Sequence, residues 1–165
     1  ETVLTAKVDG ATKELCFFGG RVGFVTFGAE GLAADALELK IKGMARASVS
    51  SGCSTSQAMV LSALNNPDLQ SQQDAVLETS RERYLCLKNA LNAAGLPSSP
   101  FNSGFFAMIP VNGDVEALRK RLLAKGVGVV ALPQHQAIRI AFSSTAHEDI
   151  PALVDAIADD IKRST

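Results

Sequence analysis

A run of 26 residues, "LQSQQDAVLETSRERYLCLKNALNAA" at 69–94, restricts the fold of this chain more than any other segment. Val76, Leu87, Leu91 and Ala94 recur along it at helical spacing, and neither Gly nor Pro interrupts it. Asn66-Pro67-Asp68 precedes it, Gly95 is placed to be its C′ residue, and Pro97 and Pro100 forbid continuation. A helix of that length spans roughly 39 Å, about the width of a small domain. The chain must therefore be organised on either side of it. Residues 1–65 supply too few elements for a core of their own, whereas residues 70–165 could nearly stand alone, so the chain is read as two parts, 1–70 and 71–165.

Upstream, "TVLTAKV" (2–8) and "RVGFVTFG" (21–28) read as strands, the first ended by Asp9-Gly10. Residues 32–47 read as a helix with Leu32, Ala36, Leu39 and Met44 roughly on one face. A Ser/Gly loop at 48–56 leads to a small-residue helix at 57–66. Downstream, strands are expected at 104–111, 127–132 and 137–143. Helices are expected at 114–126, closed by Gly126, and at 147–163, with Pro151 in the first turn, where N–H groups lack intrahelical partners anyway. The fold class is α/β: the tail of one α/β domain, joined by the long helix to a complete smaller α+β unit.

Composition narrows the function. The 165 residues are 47% hydrophobic with a net charge of −1, so no basic surface argues for nucleic acid as a partner. No apolar run reaches the roughly 18 residues of a membrane span. Cys16, Cys53 and Cys86 form no CxxC and suit a reducing, cytoplasmic setting better than a disulfide framework. His135 and His147 are too few and too badly spaced for a zinc site. No signal peptide is evident, and the start at Glu1 is consistent with processing or truncation.

The chemically specific stretch is "DGATKELCFFGGRVG" (9–23). Lys13 and Arg21 stand eight positions apart in a glycine-rich turn that follows a strand. Neither GxxxxGK[ST] nor GxGxxG fits. A lysine at such a turn can hold phosphate as a point charge or act as an amine nucleophile. Arg21 is suited to a phosphate, because a guanidinium donates two parallel charge-assisted hydrogen bonds. Thr12 adds a hydroxyl. The set suits a cofactor bearing both an aldehyde and a phosphate, which is pyridoxal 5′-phosphate.

"DGATKE…GGRVGFVTFG" resembles the active-site lysine segment of the class I (fold type I) pyridoxal-phosphate-dependent aminotransferases, nearest the aspartate/aromatic branch. "FNSGFFAMIP" (101–110) and "AIRIAFSS" (137–144) are similar to that family's later strands. The resemblance implies that Lys13 carries the cofactor and moves the proton at the substrate α-carbon. It also implies that Thr12, Arg21 and the backbone N–H of Gly10, where many relatives have serine, hold the phosphate, and that Arg139 grips the substrate α-carboxylate. Alternation supports this independently: Ile138, Ile140 and Phe142 face one way, Arg139, Ala141 and Ser143 the other. "MARASVSSGCSTSQ" (44–57) resembles the segment that crosses a dimer interface, which implies a side-chain-reading role for Arg46 and places Ser50 near the neighbour's phosphate. Also implied are a homodimer when full length, an amino acid (aspartate, glutamate or an aromatic one) and a 2-oxo acid as substrates, and inactivity of this C-terminal portion alone.

Plainer roles stand beside these. Lys13 could be a solvated turn lysine, with Lys7 the nearest competing amine. Arg21 could be a structural ion pair, and Arg139 could pair with a core carboxylate. Arg46 suits the C-terminal end of a helix dipole. Cys53 lacks a histidine partner and reads as an ordinary thiol, Cys16 and Cys86 as packing residues, and His135 as a surface residue. A lyase of the same fold and a non-catalytic, ligand-sensing module are the competing functions.

Overall fold

The structure, a computed structural model, describes residues 3–101 and 104–163. Asn102 and Ser103, within the strand-like segment 101–110, and Thr2, at the start of the first expected strand, lie outside the described residues. The chain divides into two compact units, Glu1–Gln73 and Asp74–Thr165.

The first unit begins with a two-stranded antiparallel ribbon, β1 (Ala6–Gly10) and β2 (Gly23–Phe27), in the register Ala6↔Phe27 to Gly10↔Gly23. Asp9 and Gly10, expected to end the strand, are its last two residues instead, because they pair with Phe24 and Gly23. A single helical turn, α1 (Ala11–Glu14), follows β1 directly. Two helices complete the unit, α2 (Gly31–Ser48) and α3 (Ser54–Leu64). α3 starts three residues before its expected position. Ser54, Thr55 and Ser56 enter the first turn, where small hydroxyl residues are tolerated. Only Ala11, Gly20 and Val60 are buried among this unit's described residues. The apolar positions of α2 are not covered: Leu32 is 87% exposed and Leu39 70%.

The second unit holds the hydrophobic core. The 26-residue α4 spans Leu69–Ala94 as its sequence predicts, and Leu87 and Leu91 are buried. β3 (Ala107–Pro110), β4 (Val130–Leu132) and β5 (Ala137–Ile140) form an antiparallel sheet in the order β3-β5-β4. Ala107, Ile109, Ile138 and Ile140 lie on its core face. They join α5 (Val115–Ala124) through Val115, Leu118 and Leu122, and α6 (Ile150–Lys162) through Ile150, Val154 and Ile157. Each of these Val, Leu and Ile side chains stabilises by about 1.5–3 kcal/mol on burial.

Helix ends follow residue chemistry closely. The Asp114 carboxylate accepts from the N–H groups of Glu116 (3.0 Å) and Ala117 (2.9 Å) and caps α5. Gly126 (φ +81°) closes α5, with the Val127 N–H reaching back to the Leu122 carbonyl at 2.9 Å. Gly95 (φ +68°) closes α4 in the same way through Leu96 and Leu91. That closing turn engages the Val127 backbone, so the expected strand 127–132 shortens to Val130–Leu132. The strand expected to 143 ends at Ile140; Phe142–Ser144 form a 3₁₀ turn, yet Phe142 stays buried. The last helix starts at Ile150 because His147–Asp149 make a 3₁₀ turn. No helix among the described residues is long and apolar enough to cross a membrane.

Candidate functional site

The ribbon β1–β2 presents residues 11–22 as one loop. The Ala11 N–H donates to the Val22 carbonyl at 3.1 Å, which carries the ladder one step past Gly10, and Phe17 N–H returns to the Ala11 carbonyl at 3.0 Å. Thr12 and Lys13 therefore sit on a helical turn fixed at both ends. Lys13 is exposed. Gln73 Nε2 donates to the Glu14 carbonyl at 3.0 Å, which ties the turn to the first residues of α4. A 3₁₀ turn at Phe18–Gly20 delivers the chain to Arg21, which is left-handed at φ 51°. Cys16 has the same φ. A non-glycine residue there costs about 1–2 kcal/mol, and such strain collects where geometry matters to function. Arg21 Nη1 donates to the Phe18 carbonyl at 3.2 Å, so the guanidinium is held against its own turn.

Two glycines in the segment have opposite surroundings. A Cβ on Gly20 would lie 2.0 Å from Cε1 of Phe17, so any larger residue there would have to displace that ring. A Cβ on Gly10 would meet nothing within 4 Å, and its backbone is extended (φ −149°).

Lys7, the competing amine, is paired with Asp9 at 3.0 Å, an interaction that raises the ammonium's pKa through the hydrogen bond first and the carboxylate's charge second. Arg46 lies in the last turn of α2, and its Nη1 donates to Ser50 Oγ at 2.7 Å; Ser50 is itself left-handed at φ 68°. The two residues of the segment 44–57 singled out by sequence are thus in direct contact. Cys53 is exposed at the N-cap of α3, where the Ser56 N–H foremost, with that residue's hydroxyl and the Thr55 N–H, pulls the thiol's pKa down. Cys16 is exposed and is not a packing residue, and its backbone is left-handed; Cys86 is half-buried.

Arg139 belongs to the second unit. It lies on the central strand β5, opposite Met108 of β3 and Val130 of β4, on the sheet face away from the core. Among the described residues no carboxylate pairs with it. Its guanidinium carbon stands 4.3 Å from the ring centroid of Phe106, a cation–π contact. Sequence patterning did not single out Phe106. The available signal was alternation, since Phe106 and Met108 are two apart and Met108 faces Arg139.

The family model "Aminotransferase class I and II" matches residues 3–157. No curated protein matches the chain. Among solved structures the chain is similar to Thermus thermophilus aspartate aminotransferase with maleate (22% identity, TM-score 0.77, 94% of this chain and 41% of that one). It is similar also to an Anaerococcus prevotii aminotransferase (20%, 0.75, 93% and 38%) and to an aromatic aminotransferase from Pyrococcus horikoshii (20%, 0.69, 96% and 43%). It therefore spans about two fifths of the length of these structures, and its mixed helix and sheet architecture corresponds to part of the aminotransferase fold. With a match that runs through both units, the chain belongs to the aminotransferase class I and II family.

Proposed function

We propose that this chain is the lysine-bearing portion of a pyridoxal-phosphate-dependent aminotransferase of the aspartate/aromatic branch. Its reaction exchanges an amino group between an amino acid such as aspartate, glutamate or an aromatic one and a 2-oxo acid. In this reading residues 1–70 end the large cofactor domain and residues 71–165 form the small domain. The chain is inactive without the rest of the large domain, acts in a homodimer when complete, and works in the cytoplasm.

The observation that carries the proposal is the loop 11–22, which holds an amine, a hydroxyl and a guanidinium on one hairpin with its ends pinned. The donor set fits pyridoxal phosphate: Lys13 matches the aldehyde, and Arg21, Thr12 and the Gly10 N–H match the phosphate dianion. When bound, the cofactor supplies an electron-withdrawing ring that makes the substrate α-proton acidic. Lys13 Nζ is the group that takes and returns that proton, a general acid–base role suited to an exposed amine on a pinned turn. Arg21 keeps the phosphate end in place. Arg139 orients the α-carboxylate by a two-bond grip that a lysine cannot reproduce. Arg46 reads the substrate side chain, and its bond to Ser50 holds both near the interface segment.

The test is Lys13→Ala in the full-length enzyme. Turnover falls at least about 10⁴-fold, the upper range of an acid–base contribution alone. Borohydride treatment of the loaded enzyme then no longer fixes a pyridoxyl mass on the peptide carrying residue 13. A labelled peptide of unchanged yield from the variant would overturn the assignment.

A further inference from the structure

Arg139 is half-buried on the outer face of β5, and three contacts bear on its pose. The ring of Phe106 underlies the guanidinium, 4.3 Å from its carbon. The hydroxyl of Ser143 donates to the Phe105 carbonyl at 3.3 Å and so fixes the backbone immediately before Phe106. Arg83, on α4, donates from Nη1 to the Ser143 carbonyl. The chain of contacts runs from helix to turn to aromatic ring to Arg139, and every member lies in the second unit.

Arg83 carries a cost that calls for an explanation. Its Nε is buried and has no hydrogen-bond partner among the described residues. A buried unsatisfied donor costs about 1–3 kcal/mol. An arginine serving only helix stability would extend into solvent, as Arg81 does, where it pairs with Glu78 at 3.5 Å. Arg83 instead turns inward to one carbonyl, that of the residue tethering Phe105. Phe106, for its part, is 39% exposed, so core packing does not account for its placement. A guanidinium lying on an aromatic ring loses torsional freedom in advance, and less order has to be imposed when a carboxylate arrives.

We propose that Arg83, Ser143 and Phe106 are positioning residues that pre-set the guanidinium of Arg139 for a carboxylate ligand. This rests on the reading that Arg139 receives the substrate carboxylate. Loss of the pose weakens ground state and transition state alike, so it raises KM and leaves kcat nearly alone.

The experiment compares steady-state kinetics of the full-length enzyme and its variants, with L-aspartate as donor and 2-oxoglutarate as acceptor, and measures Tm for each. Phe106→Leu and Arg83→Gln raise KM for both substrates about 5- to 10-fold, the range expected of one cation–π contact, with kcat within about twofold. Phe106→Tyr, which keeps the ring, restores KM. Ser143→Ala gives a smaller rise in the same direction. Unchanged KM in Phe106→Leu and Arg83→Gln overturns the proposal. So does a loss of kcat that tracks a fall in Tm and is not rescued by Phe106→Tyr. Arg139→Lys is the separate control: if it leaves KM unchanged, the reading of Arg139 itself fails, whatever the other variants do.

Discussion

Gly10 ends β1 with room for a side chain that it does not have. Its extended backbone suits any residue, and the space around its absent Cβ is open. Serine there would add a hydroxyl beside the loop that carries Thr12 and Arg21, at no steric cost. In the full-length enzyme Gly10→Ser is expected to tighten pyridoxal phosphate about 10- to 100-fold, the worth of one hydrogen bond to a charged group. Titration of apoenzyme by absorbance measures it, and weaker binding would show that this position does not face the phosphate. That Lys13, Thr12 and Arg21 share one loop between paired strands was legible in the sequence, because two strand-like runs flank a glycine-rich turn. The left-handed backbones of Cys16 and Arg21 were not. Nothing local prefers that conformation for a thiol or a guanidinium; closure of a 12-residue loop between paired strand ends imposes it.

α5 and α6 are joined by more than apolar contact. Asp160, 2% exposed, meets Lys125 Nζ at 2.9 Å and Arg121 Nε at 3.5 Å. The hydrogen bond from Lys125 chiefly, with the charges of Lys125 and Arg121, holds this carboxyl below its ordinary pKa against the opposing effect of burial. A depressed folded-state value means the unfolded chain binds the proton more readily. The stabilisation is therefore complete above the ordinary carboxylate value, near pH 4, and is lost as pH falls through and below it. Asp160→Asn is expected to cost roughly 1–3 kcal/mol at pH 7, less than a fully buried pair because both cations are half in water. The gap to wild type in urea melts should narrow below about pH 4; a gap that stays constant with pH would remove the ion pair as its cause. The sequence read these elements well where a single residue dictates backbone chemistry, as at Gly95, Gly126 and Pro151. It read them less well at 127–132, where the turn that closes α5 competes for the Val127 N–H.

The two units differ in how much of their own stability they carry. All 14 buried members of the hydrophobic core cluster fall within residues 74–165. The fragment 74–165 is expected to unfold in one cooperative urea transition, and the fragment 1–73 to show none and to bind a hydrophobic dye. Cooperative melting of 1–73 would contradict this account. That imbalance was visible in the sequence as a shortage of elements before residue 65. The exposure of α2 was not, because a helical apolar stripe indicates what a helix can bury and not whether anything covers it.

The candidate lysine is carried by the sparsely packed unit, on a ribbon of two five-residue strands. Among the described residues β1 and β2 pair only with each other, so each has an outer edge of unsatisfied N–H and C=O groups. Val8 and Val25, paired across the ribbon, are 77% and 46% exposed. Such an edge is a template for another copy of itself, and a slip of one residue would exchange the faces of Lys7 and Val8. Ageing of the isolated chain should begin there: mispaired ribbons would remove the loop of Lys13 from use while the helices of residues 74–165 still gave their full circular dichroism.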